Sequence, residues 1–201
     1  MRRGAQHRAH IHPEVFLMRC SLFALVLLAA APFTASATDV LSYDYVEAGY
    51  VKSDSRDDAS GYGITGSVSI DERFNLFGSY VDQNSDRFNG VDLRQWSVGA
   101  GFHHSVKDNV DLVARLAWNS VDTAQTKEYD GVSAEAGVRA AMGAHFETWA
   151  LAGYGDVDAG NGEFYGRLGA QAKFGKHFGL AGDVKLISGD TQWFVGPRFS
   201  W

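Results

Sequence analysis

Cysteine is almost missing from this 201-residue chain, since Cys20 is its one cysteine. A single thiol excludes an internal disulfide framework. Cys20 also precedes an apolar run, whereas a lipoprotein needs its cysteine directly after such a run. Proline is scarce as well, with three residues, while there are 23 glycines and 13% aromatic residues. This balance favours β structure in one domain.

Long hydrophobic runs are also missing. The apolar run Leu22 to Ala31 falls short of the roughly 18 residues that a membrane helix needs. It is followed by Ala35-Ser-Ala37, which places small residues at the two positions that signal peptidase recognises. We therefore predict a cleaved signal peptide at residues 1–37, with Met18 as an alternative start, and one domain at residues 38–201. No part of that domain is apolar enough for a membrane helix, so only a barrel could span a membrane.

Basic residues are few once the predicted signal peptide is removed. Residues 1–37 contain four of the 18 basic residues and one of the 24 acidic residues, which leaves 14 against 23 and a net charge of −9. Such an acidic chain would repel the phosphate backbone of a nucleic acid. We therefore predict that nucleic acid is not a partner.

Alternation between apolar and polar residues is abundant. Tyr62, Ile64 and Val68 would face one side of a strand, and Thr65 and Ser67 the other. Period two over about ten residues is typical of a tilted membrane strand. The pattern recurs along the chain around four glycines spaced by 35, 36 and 32 residues, which are Gly66, Gly101, Gly137 and Gly169.

The repeats predict ten strands in an all-β fold, a transmembrane antiparallel up-and-down β-barrel. Four hairpins and two single strands make up this count: 62–82, 94–121, 131–156, 163–187, 41–53 and 191–201. Eight strands is the alternative, if the segment 146–156 is not a strand. We assign the short turns to the periplasm, namely 71–73, 105–109, 143–145 and 175–177. We assign the other connections to the cell exterior, namely 53–60, 82–92, 122–130, 156–162 and 188–191.

The two faces of the predicted strands carry opposite chemistry. One face is apolar with aromatic residues towards both ends, as in the girdles of lipid-facing barrels. The other carries glycine, serine and charges of both signs, whereas a soluble barrel would bury its apolar face inside. We expect a narrow lumen closed by ion pairs among nine residues, which are Glu47, Arg115, Glu135, Arg139, Arg167, Lys173, Asp183, Lys185 and Arg198.

The last strand carries a predicted assembly signal. Gly196, Phe199 and Trp201 fit the pattern Gly-x-x-aromatic-x-aromatic that outer-membrane proteins present to the barrel assembly machinery. Phe194 departs from this signal, which usually has a polar residue there. Pro197 lacks an amide donor, so we expect a β-bulge or an edge position at that residue.

Two patterns resemble a catalytic or a metal-binding motif, but we interpret neither as a functional site. His103-His104-Ser105 places a base beside a nucleophile, but neighbouring strand residues point to opposite faces and this segment is predicted to be periplasmic. The segment Asp156 to Glu163 resembles a calcium loop, but its asparagine falls at the sixth position instead of the fifth. We therefore predict no catalytic residues, no specific metal site and no cofactor.

Four segments together resemble a known family: Tyr43 to Val51, Phe74 to Tyr80, Phe164 to Gln171 and Phe194 to Trp201. They are similar to the small outer-membrane β-barrel family of xanthomonads, which was once proposed to supply an immunity-eliciting, quorum-type signal. The similarity spans essentially all of residues 38–201. It implies an outer-membrane location with links to virulence, motility and biofilm behaviour, and it carries no catalytic residues.

The predicted function is that of a non-enzymatic outer-membrane barrel with acidic surface loops. Thirteen acidic and three basic residues in or next to the predicted outer loops suggest a role in envelope integrity, adhesion, biofilm or host interaction. The expected partners are outer-membrane lipid, lipopolysaccharide (with shared divalent cations), the barrel assembly machinery during biogenesis, and host or cell-surface molecules. The alternatives are a narrow channel or a barrel enzyme at the outer rim.

Overall fold

A computed structural model describes residues 41–54, 58–85, 91–123, 126–156 and 162–201. The chain divides into two units, Met1–Pro32, which lies outside the described residues, and Phe33–Trp201. The predicted signal peptide at residues 1–37 and its cleavage site therefore also lie outside them. No helix within the described ranges is long and apolar enough to cross a membrane.

Within these ranges, ten antiparallel strands form one closed barrel. They are β1 (Tyr45–Asp54), β2 (Ala59–Ser69), β3 (Phe74–Ser85), β4 (Val91–Lys107), β5 (Val110–Thr123), β6 (Thr126–Met142), β7 (Phe146–Gly155), β8 (Glu163–Lys173), β9 (Phe178–Ile187) and β10 (Asp190–Ser200). Each strand pairs with its sequence neighbours, and β1 pairs with β10. The predicted ten-stranded fold is confirmed. The eight-strand alternative is wrong, because β7 pairs fully with both β6 and β8.

Period two sorts the side chains between the two faces of the barrel wall. Outward residues are apolar and exposed, as Tyr62 and Leu116 illustrate, whereas inward residues such as Asn75 and Gln83 are polar and buried. The inward polar groups satisfy one another: the Asn75 amide donates to the Ser67 hydroxyl at 2.9 Å. The barrel is therefore apolar outside and largely polar inside.

Several predicted boundaries shift. β1 begins at Tyr45, and residues 41–44, predicted as strand, are not part of the sheet. The predicted turn at 105–109 shortens because β4 continues to Lys107 through an irregularity between Ser105 and Lys107. The predicted loop at 122–130 shortens because β5 and β6 extend their ladder towards its tip, with an irregularity after Val121.

The expected bulge or edge position at Pro197 is wrong. The register between β1 and β10 is the same on both sides of this residue, from Glu47↔Arg198 to Tyr50↔Val195, and β10 is paired on both sides. Closure of the barrel removes the edge, so the missing donor only interrupts the ladder. At the same point a Cβ on Gly49 or Gly196 would collide with the backbone of the opposite strand, so glycine permits the close approach there.

Candidate functional site: the barrel interior

The barrel has two distinct ends. The turn end carries the short β2–β3, β4–β5, β6–β7 and β8–β9 connections, the start of β1 and the end of β10. The loop end carries the connections from β1 to β2, β3 to β4, β5 to β6, β7 to β8 and β9 to β10. All nine predicted lumen residues lie on inward positions, where they form a pair at the β1–β10 seam, a cluster near the turn end, and a cluster facing the loop end.

The seam pair joins the first and last strands. The Nε and Nη2 atoms of Arg198 lie 2.7 and 2.6 Å from the Glu47 carboxylate. A third nitrogen of Arg198 donates to the Gln171 side chain at 3.3 Å. The guanidinium also lies over the rings of Tyr45 and Trp149, at 4.2 and 5.0 Å. A planar, multidentate cation therefore ties β10 to β1 and β8 across the interior.

The turn-end cluster is built around Glu147, which the sequence analysis missed. Arg139 and Lys173 both form salt bridges with the Glu147 carboxylate, whose side chain is 1% exposed. The signal that could have identified Glu147 is its parity: Phe146 and Thr148 on either side face outward, so Glu147 must face inward.

The loop-end cluster is more loosely paired. Arg167 Nε donates to Asp183 at 2.7 Å, and Asp183 also accepts from the Trp149 indole at 2.7 Å. Arg115 and Arg167 each lie 3.9 Å from the Glu135 carboxylate, which is beyond hydrogen-bonding distance. The ninth predicted residue, Lys185, has its Nζ atom 4.1 Å from the Tyr165 ring centroid.

Residues 41–44, the plug segment, lie inside the turn end of the barrel. Leu41 and Tyr43 are buried with three inward-facing residues of the wall, Val113, Ala141 and Leu151, and Trp149 packs against this group. Side chains from three strands thus contact a segment that is itself not part of any strand. The plug segment therefore fills the interior at the turn end.

Tyr43 anchors the plug segment through polar and ring contacts. Its hydroxyl donates to Asp111 at 2.9 Å, its ring stacks on His103 at 3.8 Å, and the Arg139 guanidinium lies over it at 4.6 Å. Burial raises the pKa of Tyr43, so the hydroxyl stays protonated and remains a donor to the carboxylate.

The His103-His104-Ser105 segment lies beside this anchor. His104 faces outward, as alternation predicted, but His103 and Ser105 share the inward face with Asp111. Ser105 donates to Asp111 at 2.7 Å, and His103 Nδ1 lies 3.8 Å from the same carboxylate. In a nucleophilic triad the hydroxyl must donate to the imidazole. Here the carboxylate lies between the two groups, which is the wrong order for that chemistry.

The described residues contain no group of three or more histidine, cysteine, aspartate or glutamate side chains placed to hold a metal ion. The calcium-like segment Asp156 to Glu163 lies mostly outside the described residues.

The exterior carries two bands of exposed aromatic side chains. The band near the turn end contains Phe74, Phe102, Phe146, Phe174, Phe178 and Phe199. The band near the loop end contains Tyr50, Tyr62, Tyr80, Trp96, Trp118, Tyr154, Phe164 and Trp193. Several pack across strands, as Phe74 does with Phe102 at 5.2 Å. Aliphatic residues such as Ile64, Val98 and Leu116 lie between the bands.

The three predicted assembly residues lie on or just beyond β10. Gly196 faces inward at the seam, whereas Phe199 faces outward and contacts Phe178 at 5.0 Å and Trp201 at 6.1 Å. The Trp201 amide donates to the Asp44 carbonyl at 3.1 Å, which extends the seam one residue beyond the strand.

Comparison with known proteins finds solved structures of low similarity. The KdgM porin is similar with a TM-score of 0.45 and 9% identity over 78% of this chain and 99% of that chain. The translocator domain of autotransporter NalP from Neisseria meningitidis is similar with a TM-score of 0.45 and 9% identity over 94% of this chain and 98% of that chain. Neisserial surface protein A is similar with a TM-score of 0.42 and 16% identity over 80% of this chain and 98% of that chain. No family model matches the sequence, and no curated protein matches it.

These likenesses assign no family and no function to this chain. Fold and interior together define the class: a closed ten-stranded antiparallel barrel with an ion-paired, plugged interior and an apolar, aromatic-banded exterior. The resemblance to the xanthomonad family stays a prediction.

Proposed function

We infer that the chain is a closed, non-enzymatic barrel of the bacterial outer membrane that supports the cell envelope and its surface contacts. The observation that carries this proposal is the inversion of polarity across the wall. Exposed apolar side chains surround the barrel between two aromatic bands, while ion pairs and amides line much of its interior. Contact between this apolar surface and water would carry a large free-energy cost. A bilayer covers the surface and accommodates the aromatic bands at its interfaces.

The filled interior supports a structural and surface role over a channel. In eight-stranded barrels, side chains fill the interior. A ten-stranded barrel is only slightly wider. Here the seam pair, the Glu147 cluster and the plug segment occupy the turn-end half. A solute crossing the barrel would have to displace buried apolar and charged groups together.

The loop end supports contact with lipopolysaccharide and with host or cell-surface molecules. Charged side chains lie on the outer surface just beyond the aromatic band, including Lys52 paired with Asp54 at 2.6 Å and Arg94 lying 3.8 Å from Asp82. The predicted outer loops add the acidic excess. These groups could meet lipopolysaccharide phosphates directly or through shared divalent cations. Links to virulence and biofilm behaviour rest on the resemblance to the xanthomonad family.

Membrane fractionation with a gel-shift assay tests the proposal. Expressed with its own residues 1–40, the chain should sediment with the outer membrane and migrate faster on unheated than on heated gels, because a closed barrel resists detergent until boiled. Recovery as a soluble periplasmic protein would overturn the proposal. Conductance in planar bilayers separates the closed barrel from a channel, since steady wild-type conductance would contradict closure.

A further inference from the structure

A cavity of about 160 Å³ lies in the loop-end half of the barrel interior. It is about ten times the roughly 15 Å³ that one water molecule needs, so a small ion with its waters would fit. Its lining reaches Tyr165, Lys185 and Gln192, each two residues from the end of its strand. Because the plug segment fills the opposite end, entry from the loop end is the direct route.

Three carboxylates and three cations line this cavity, and Arg198, which pairs with Glu47, adds a fourth cation beside it. Glu47 is neutralised by Arg198, and Asp183 by Arg167. Among the described residues of the lining, that leaves one carboxylate, Glu135, for two cations, Arg115 and Lys185. No carboxylate of the described residues lies within salt-bridge distance, 4.0 Å, of Lys185, which rests instead on the Tyr165 ring.

The cationic groups also retain hydrogen-bonding capacity. The nearest approach of Arg115 to a carboxylate among the described side chains is 3.9 Å, and its guanidinium lies over the Phe77 ring at 5.1 Å. Arg167 uses Nε for Asp183, while its Nη1 stays 3.9 Å from Glu135. Guanidinium groups bind carboxylate and phosphate oxygens through paired N–H donors, and a lysine adds a point charge.

We propose that this cavity is a binding site for a small oxyanion, a carboxylate or phosphate group, held between Arg115, Arg167 and Lys185. Hydroxyl and amide side chains that also line the cavity, among them Ser97, Asn119 and Gln192, would complete the coordination. An entering anion would restore charge balance and would replace the long contacts to Glu135 with direct hydrogen bonds. The site goes beyond the proposed surface role and does not depend on where the barrel resides.

Titration of the refolded barrel in zwitterionic detergent tests the site. Isotope-labelled protein is titrated with sodium phosphate and, separately, with sodium acetate, while sodium chloride at matched ionic strength controls for screening. We expect saturable amide shifts in β5, β8 and β9 with at least one oxyanion and not with chloride. Absence of saturation with both oxyanions, or equal shifts with chloride, would overturn the proposal.

Variants assign the site to its cations. Lys185→Gln and Arg115→Gln should each weaken oxyanion binding about tenfold or more, and Lys185→Arg should retain it because the charge is kept. The matched control is Lys176→Gln, which removes an exposed cation from the β8–β9 turn at the opposite end of the barrel and should leave affinity unchanged. Each variant is first checked for the gel shift of a folded barrel. Unchanged affinity in both folded glutamine variants would contradict the assignment.

Discussion

At the scale of single residues, each buried charge in this barrel depends on the oppositely charged side chains that contact it. Among the described residues, Glu147 is the one carboxylate that contacts both Arg139 and Lys173, and it is almost fully buried. Removing one partner of a buried ion pair leaves an uncompensated charge, which typically costs about 3–5 kcal/mol.

Glu147→Gln should therefore lower the free energy of unfolding by about that amount, because two cations lose their shared anion. Urea unfolding of the refolded barrel in micelles, followed by tryptophan fluorescence, measures the change. Asp82→Asn, at an exposed and loosely paired carboxylate, is the control and should change stability little. Similar destabilisation by both substitutions would contradict the role of the buried cluster.

Tyr43 gives a prediction with a defined pH dependence. Its pKa is raised by burial, while tyrosine in the unfolded chain titrates near pH 10. A raised pKa in the folded state stabilises the fold below the unfolded value and loses that contribution as pH rises. The advantage of wild type over Tyr43→Phe should thus stay constant up to about pH 10 and shrink above it. A difference that grows with alkalinity would show that Tyr43 is not a buried donor to Asp111.

At the scale of elements, the strands were predictable and the plug segment was not. Alternation with apolar outward residues identifies a strand, because period two is a backbone property. Leu41, Tyr43, Tyr45 and Glu47 are all buried and share one parity across the junction. The pattern is therefore the same on both sides of Tyr45, and only the three-dimensional contacts show that residues 41–44 leave the sheet.

The plug segment should keep the barrel closed to ions. A Leu41→Ser, Tyr43→Ala double variant removes its buried apolar contacts, so we expect conductance steps in planar bilayers where wild type shows none. Ser42→Ala, within the same segment but partly exposed, is the control and should stay closed. A silent double variant that retains the gel shift of a folded barrel would show that other groups close the lumen.

The end of β10 should be required for assembly. Deleting Phe199 to Trp201 removes the aromatic contacts to Phe178 and the last hydrogen bonds of the seam, so the barrel cannot close normally. We expect export to continue while folded barrel fails to accumulate in the outer membrane. Deleting Ala159 to Asn161 from the predicted outer loop at 156–162 is a control of equal length. Normal folded barrel in the Phe199–Trp201 deletion would refute the assembly signal.

At the scale of the whole molecule, local pattern reveals topology but not the arrangement of the interior. The nine predicted lumen charges follow from parity alone, which places them inward one strand at a time. Their grouping depends on register between strands, as Glu135 shows by facing Arg115 on β5 and lying near Arg167 on β8. The cavity involves side chains from many strands and from no single motif, so no sequence pattern could have identified it.

The central claim is that the apolar face of this wall meets lipid and the polar face does not. Because Cys20 is the one cysteine and lies in the predicted signal peptide, any cysteine added to residues 38–201 gives a unique labelling site. Fluorophores at outward Val98 and Leu116 and at inward Ser97 and Ala117 can be compared in vesicles with a quencher on the lipid chains. We expect strong quenching at the two outward positions and weak quenching at the two inward ones. Equal quenching of both sets, or stronger quenching of the inward set, would contradict the central claim.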